Sequence, residues 1–204
     1  MARGLKIVGL GDSTTAGTPG FQSPIEVPPD GEGNPESQYE FWMMRVHPEW
    51  TVLNRGVNGE RSDEIRARFA RDVLEARPDY AIILAGVNDI YQGLPPEAVE
   101  RNLGPMYAES IDAGIVPVAA TVLPYNVATE RDNLAMRELN HWIESLSRIL
   151  SIPLCDTRAA VADARDPDRL RGSPDGLHPG VDGYRAMGEE LAETIETHSA
   201  GRRS

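Results

Sequence analysis

Lys6-Ile7-Val8-Gly9-Leu10-Gly11-Asp12-Ser13-Thr14 is the stretch on which the fold turns. The apolar run reaches Leu10 and stops at a glycine, an aspartate and two hydroxyl residues. A short apolar run ended by turn residues reads as a strand buried on both faces. The same junction recurs along the chain. Strands are expected over residues 6–10, 51–54, 80–85, 116–122 and 153–156.

Helical signals fill the gaps between these runs. Ser62 precedes Asp63-Glu64 and then Ile65, Phe69 and Val73 at helical spacing, an N-cap followed by an acidic first turn. Pro95-Pro96 opens a segment with Val99, Leu103, Met106 and Ile111, and Gly114 stands where a C-terminal cap belongs. Thr129 with Asp132 caps a long helix whose Leu139, Trp142, Ile143, Leu146 and Ile149 form one apolar stripe. A last helix is expected from residue 181 to about 197, with a polar tail over 198–204. Strand and helix in alternation imply parallel strands with right-handed crossovers, hence a three-layer α/β/α sandwich around a five-stranded parallel sheet. With no internal repeat and no linker, residues 1–204 read as a single domain.

The segment 18–38 breaks the rhythm. Pro19, Pro24, Pro28, Pro29 and Pro35 alternate there with Gly20, Gly31 and Gly33, without any period. A structureless stretch of that length points to a lid or binding loop near the site. After it, Ser37 and Glu40 offer a capping box for a helix through Tyr39, Phe41, Trp42 and Val46.

Composition narrows the function. The chain has 204 residues, 20 Lys and Arg against 32 Asp and Glu, and a formal net charge of −12. That surplus argues against nucleic acid or an anionic membrane as partner, because both reward clustered basic residues. Cys155 is the one cysteine, so an intramolecular disulfide and a zinc site with two cysteines of one chain are both excluded. No run approaches the roughly 18–20 apolar residues of a membrane span. The apolar run at residues 7–10 is too short for a secretory signal, so the chain reads as cytoplasmic. Gly9-x-Gly11 lacks the third glycine of a dinucleotide loop, since Thr14 stands there. His47 and His141 read as surface or packing histidines, His198 as a solvated tail residue and Cys155 as a buried small hydrophobe. Phe21, Ile25, Trp42, Tyr91 and Tyr125 serve equally as pocket walls or as packing.

Ligands of an open parallel sheet bind at the carboxyl ends of its strands. Those ends carry Gly11-Asp12-Ser13-Thr14, Asn54-Arg55-Gly56-Val57-Asn58-Gly59, Gly86-Val87-Asn88-Asp89 and Pro124-Tyr125-Asn126; Asp175-Gly176-Leu177-His178-Pro179 precedes the last helix. Acyl transfer needs a nucleophile, a base, a carboxylate to orient the base, and donors for an oxyanion. Ser13, His178 and Asp175 supply the first three. Gly59, lacking a Cβ, and the Asn88 amide supply donors beside the Ser13 N–H. No metal and no cofactor is needed.

The order of these blocks resembles the SGNH hydrolase superfamily, also called GDSL hydrolases, from about Lys6 to Ile195. The resemblance implies a flavodoxin-like layout. It implies Ser13 as nucleophile and first oxyanion donor, Gly59 and Asn88 as the other donors, His178 as general base and then acid, and Asp175 as its orienting carboxylate. Asp12 and Asp89 belong to the motifs and read as structural. Thr14 replaces the commoner leucine or isoleucine, and segment 18–38 is longer than in compact members, so it should lie over or beside the site. The expectation is a serine esterase acting on a small-molecule ester without stable membrane association. Two alternatives use the same chain: a catalytically silent binding module, and an acyltransferase or thioesterase with the same residues. Substrate and oligomeric state are not encoded in these motifs.

Overall fold

In chain order, strand β1 (Lys6–Gly11) leads into the one-turn helix α1 (Ser13–Ala16), the small strands β2 (Phe21–Gln22) and β3 (Glu32–Gly33), helix α2 (Tyr39–Val46) and strand β4 (Thr51–Gly56). Helix α3 (Ser62–Phe69), β5 (Tyr80–Leu84), α4 (Val87–Tyr91), α5 (Pro96–Asp112) and β6 (Val116–Ala120) follow. Helix α6 (Glu130–Leu150), β7 (Leu154–Cys155), α7 (Thr157–Val161) and α8 (Val181–Gly201) complete the chain. The structure is a computed structural model and describes residues 4–202.

Five strands form one parallel sheet in the order β4-β1-β5-β6-β7. Counted along the chain this is the flavodoxin-like order 2-1-3-4-5, whose direction reverses between β1 and β5. Both faces of the sheet are covered, which is why β1, β5 and β6 are buried almost throughout, whereas β4, at the edge, alternates. Val8, Leu10, Ala81 and Ile83 face Ile65, Phe69, Leu103, Met106, Leu139 and Ile143 of α3, α5 and α6. Ile7, Ile82, Leu84 and Val118 face Tyr39, Met43, Tyr184, Met187, Leu191 and Ile195 of α2 and α8. Each such side chain, removed from water, contributes about 1.5–3 kcal/mol before chain entropy is subtracted.

Several local expectations change. Ser62 is the first residue of α3 rather than its cap; Arg61 precedes the helix, and its N–H is taken by Glu64 Oε2 at 2.9 Å. Ser62 is drawn into the helix by Asp89, which accepts its N–H at 2.9 Å and its hydroxyl at 2.7 Å. The Ser37–Glu40 box does not form, for Ser37 ends a 3-10 turn and Glu40 is fully buried against β1. Helix α8 runs on to Gly201, so His198 is not in a solvated tail: its ring meets Tyr80 edge-on, with Nδ1 3.1 Å from the Tyr80 hydroxyl. Residues 203 and 204 lie outside the described residues. Ile149, placed on the apolar stripe of α6, is 77% exposed, and Leu146 and Leu150 on either side of it pack against the core instead. Cys155 is buried, which pushes its thiol up to about 12.

The segment 18–38 is not structureless. Its β2–β3 hairpin and the 3-10 turn Pro35–Ser37 are tied to the body of the protein by Ser23 Oγ donating to the Gly56 carbonyl (2.5 Å) and by Tyr184 Oη donating to the Thr18 carbonyl (2.6 Å). It lies beside the carboxyl end of β4, and none of its residues lines the cavity described next.

Candidate active site

The carboxyl ends of β1, β4 and β5 open into a cavity of about 200 Å³, lined by Ser13, Asn58, Gly59, Asn88, Tyr91, Tyr125, Leu177 and His178, with Thr14 and Val87. This is the crevice beside the reversal in strand order, where an open α/β sheet leaves room for a ligand. Asn88 comes from the first turn of α4 after β5, and Gly59 from the turn between β4 and α3.

Ser13 begins α1. Asp12 caps that turn, its Oδ1 accepting the Thr14 N–H at 2.9 Å. The Ser13 N–H and the Gly59 N–H find no acceptor among the described residues. Helix α1 sits directly on β4: a Cβ on Gly56 would come within 2.0 Å of Ala16 N, so this position excludes any side chain. Burial raises Asp12 to about 6, against the lowering effects of the Thr14 N–H and of charge on His178.

His178 reaches Ser13 from the loop before α8. Its Nε2 lies 2.8 Å from Ser13 Oγ, and its Nδ1 lies 2.7 Å from Asp175 Oδ2. The loop is wound so that one carboxylate serves several donors. Asp175 Oδ1 accepts the N–H groups of Leu177 at 2.9 Å and His178 at 2.8 Å. Ser173 Oγ accepts from Gly176 N at 2.8 Å and donates to the His178 carbonyl at 2.6 Å. Burial works against the Asp175 charge, but the His178 ring and the two N–H groups outweigh it and hold the carboxyl down at about 2. Asp175 therefore stays ionised across the physiological range and can orient the imidazole.

The donors are held by their own neighbours. Asn88 Nδ2 donates one hydrogen to the Glu60 carbonyl at 2.9 Å, leaving its second hydrogen for the cavity. Arg68, mostly buried, donates to Glu60 Oε2 at 2.6 Å, to the Gly11 carbonyl at 2.8 Å and to the Arg55 carbonyl at 2.8 Å, so it joins the ends of β1 and β4 to the Glu60 loop. Ser13, Gly59, Asn88, Asp175 and His178 are thus brought to one place. Sequence reasoning missed Glu26, Asn58, Ser62, Arg68 and Ser173 as supports of this place. Only Ser173, in a Ser-Pro-Asp-Gly turn, carried a local signal. Of the large side chains left open, Tyr91 and Tyr125 line the cavity, their rings edge-to-face at 5.7 Å, while Phe21, Ile25 and Trp42 do not.

Residues 10–186 match the GDSL-like lipase/acylhydrolase family. The chain belongs to that family. The parallel sheet flanked by helices is the fold of its solved neighbours. A protein of the G-D-S-L family from Desulfitobacterium hafniense is similar at 25% identity over 93% of this chain and 99% of its own, with a TM-score of 0.77. The acetylxylan esterase of Geobacillus stearothermophilus shares the fold, with 22% identity, coverage of 96% of both chains and a TM-score of 0.72. In sequence, that esterase is 33% identical over 52 residues, 24% of each protein. An uncharacterized lipoprotein of Bacillus subtilis is 35% identical over 79 residues, 36% of this chain and 32% of its own. The matched stretches thus span a third or less of the curated relatives. No helix among the described residues is long and apolar enough to cross a membrane.

Proposed function

We propose that this family member hydrolyses carboxylic esters of short acyl groups through an acyl-enzyme on Ser13. The observation that carries the reading is the unbroken chain from Ser13 Oγ to His178 Nε2 (2.8 Å) and from His178 Nδ1 to Asp175 Oδ2 (2.7 Å), opening into the cavity. Ser13 Oγ attacks the ester carbonyl as its proton passes to His178 Nε2, and the carbonyl oxygen takes up the charge. The N–H groups of Ser13 and Gly59 and the amide of Asn88 face that charge. His178 then gives its proton to the leaving alcohol oxygen as the C–O bond breaks. Water enters, loses a proton to His178, and frees the carboxylic acid, and Ser13 recovers its proton. Asp175 holds the Nδ1 proton throughout and faces the imidazolium without taking that proton.

Size supports a short acyl group. Pockets for drug-sized ligands run to about 300–1,000 Å³, and this cavity is about 200 Å³. Val87 and Tyr125 give it apolar wall, whereas Tyr91 (59% exposed) and Leu177 (39% exposed) stand at a mouth open to solvent. A sugar acetate of the kind the Geobacillus enzyme's name records fits both the small cavity and the aromatic rim.

The test is hydrolysis of p-nitrophenyl esters from acetate to decanoate by wild type and Ser13→Ala. Turnover is expected to be highest at acetate or propionate and absent from the folded variant. Equal rates in the two proteins would remove Ser13 from the mechanism. An optimum at octanoate or beyond would remove the short-acyl reading alone.

A further inference from the structure

Little packing holds the turn that carries Gly59. Asn58 and Gly59 are exposed, Gly59 has φ +75°, and a Cβ built there would meet nothing within 4 Å. A backbone donor on such a turn is oriented by hydrogen bonds or not at all. Its downstream side is held at Glu60, by Asn88 and Arg68. Its upstream side is held by the segment 18–38. Glu26 Oε1 accepts both the backbone N–H of Asn58 (2.9 Å) and its side-chain amide (2.7 Å), and the Thr18 hydroxyl donates to Asn58 Oδ1. The grip is anchored in turn. Glu26 Oε2 accepts the Ser23 N–H at 3.1 Å, the Ser23 hydroxyl donates to Gly56, and the Thr18 carbonyl is held by the fully buried Tyr184.

We propose that Glu26 is a positioning residue of the oxyanion site: by holding Asn58 at both its N–H and its amide, it fixes the Asn58–Gly59 peptide so that the Gly59 N–H points at the oxygen that becomes charged when Ser13 attacks. The proposal rests on the acyl-enzyme reading above. Its physical basis is that a backbone donor belongs to no side chain, so its aim depends on the neighbouring groups that lock the turn. An ionised acceptor is well suited, because hydrogen bonds to a carboxylate are roughly twice as strong as neutral ones. A misaimed donor costs transition-state stabilisation while leaving substrate binding nearly untouched. The long insert thereby acquires a role other than covering the site: it brings a carboxylate to the back of a turn that would otherwise swing in solvent.

The experiment measures kcat and KM for p-nitrophenyl acetate in wild type, Glu26→Ala, Glu26→Gln and Glu26→Asp, with Ser13→Ala as control and circular dichroism for folding. Glu26→Ala is expected to lose about 10- to 100-fold in kcat with KM within about twofold. Glu26→Gln, which keeps an oxygen acceptor at the same reach, is expected to recover to within about fivefold of wild type. Wild-type kcat in folded Glu26→Ala, with Ser13→Ala inactive, would overturn the role of Glu26 and leave the serine mechanism standing. Equal hydrolysis by wild type and Ser13→Ala would overturn the serine mechanism instead. Should Glu26→Ala not fold, the other two variants decide. The Asp side chain is one methylene too short to serve Ser23 and Asn58 together, so its kcat is expected to fall below that of Gln. Wild-type kcat in both would overturn the proposal.

Discussion

In the proposed mechanism Asn88 divides its amide between structure and chemistry: one hydrogen goes to the Glu60 carbonyl, and the other serves the cavity that Asn88 lines. Truncation removes both. Asn88→Ala is expected to lower kcat about 10²- to 10³-fold with a small change in KM. The lost bond to Glu60 is expected to cost only about 0.5–1.5 kcal/mol of stability. Steady-state kinetics beside a thermal melt separates the two effects, and an unchanged kcat would take Asn88 out of the oxyanion site. Asp175 offers a second test at this scale. Its carboxyl fixes both the His178 ring and the loop that carries it, so Asp175→Asn is expected to reduce kcat about 10³- to 10⁴-fold by favouring the wrong tautomer. A loss under tenfold, read from the same assay, would show that orientation of His178 comes from elsewhere. The sequence shows both residues, yet not how each divides its bonds, because Glu60 carries no motif of its own and the turn signal at Ser173 does not say which groups its hydroxyl meets.

Elements show where local sequence rules operate and where tertiary contacts override them. Helix α6 obeys them at its start: Thr129 accepts the Asp132 N–H at 3.2 Å, and Asp132 accepts the Thr129 N–H at 3.0 Å. At its end the chain adopts a left-handed conformation on Ser151, with φ +54°. An L-residue there costs about 1–2 kcal/mol relative to the right-handed region, a penalty glycine avoids. Ser151→Gly is therefore expected to stabilise the protein by about 0.5–1 kcal/mol, raising Tm by roughly 1–4 °C. Differential scanning calorimetry reads it, and a fall in Tm would mean that the serine side chain contributes more than its backbone costs. Helix α3 departs from the local rule, since Asp89 draws Ser62 from the cap into the first turn. The bond does two things at once: it closes the helix start and fixes the residue next to Asn88.

Across the molecule, charges sit in two electrostatic settings with opposite pH signs. Glu40 is buried beneath the site, its carboxylate oxygens making no hydrogen bond of ordinary geometry among the described residues, and burial holds its carboxyl well above the usual range. Asp12, also raised by burial, shares that sign. A group whose folded pKa is raised contributes stability in full below its unfolded value and loses it as pH rises through the folded value. Asp175 has the opposite sign: its contribution is present above the ordinary carboxylate value and is lost as pH falls toward about 2. Glu40→Gln, which keeps the shape and cannot ionise, is accordingly expected to melt at least about 2 °C above wild type at pH 8, with the gap closing toward pH 4. Melts at the two pH values check it; a gap independent of pH would assign the effect to packing rather than to charge.

The short helices α1, α4 and α7 are not legible in the sequence, whereas the five strands of the sheet, the longer helices α2, α3, α5, α6 and α8, and the candidate residues Ser13, Gly59, Asn88, Asp175 and His178 are. The physical reason is that they depend on short-range rules: apolar runs for strands buried on both faces, caps and prolines for helix starts, and small polar residues at strand ends. Tertiary structure alone decides what those rules do not reach. It places Glu40 in the core rather than at a helix cap, because α2 packs its first turn against β1. It sets the His198 ring of α8 against Tyr80, a residue of β5 that local sequence does not connect with it. It turns the proline- and glycine-rich segment into a clamp on Asn58, because Glu26 and Asn58, thirty-two residues apart, meet only once β4 has paired with β1. Composition marks that segment as irregular. Which groups it touches depends on the sheet it folds against.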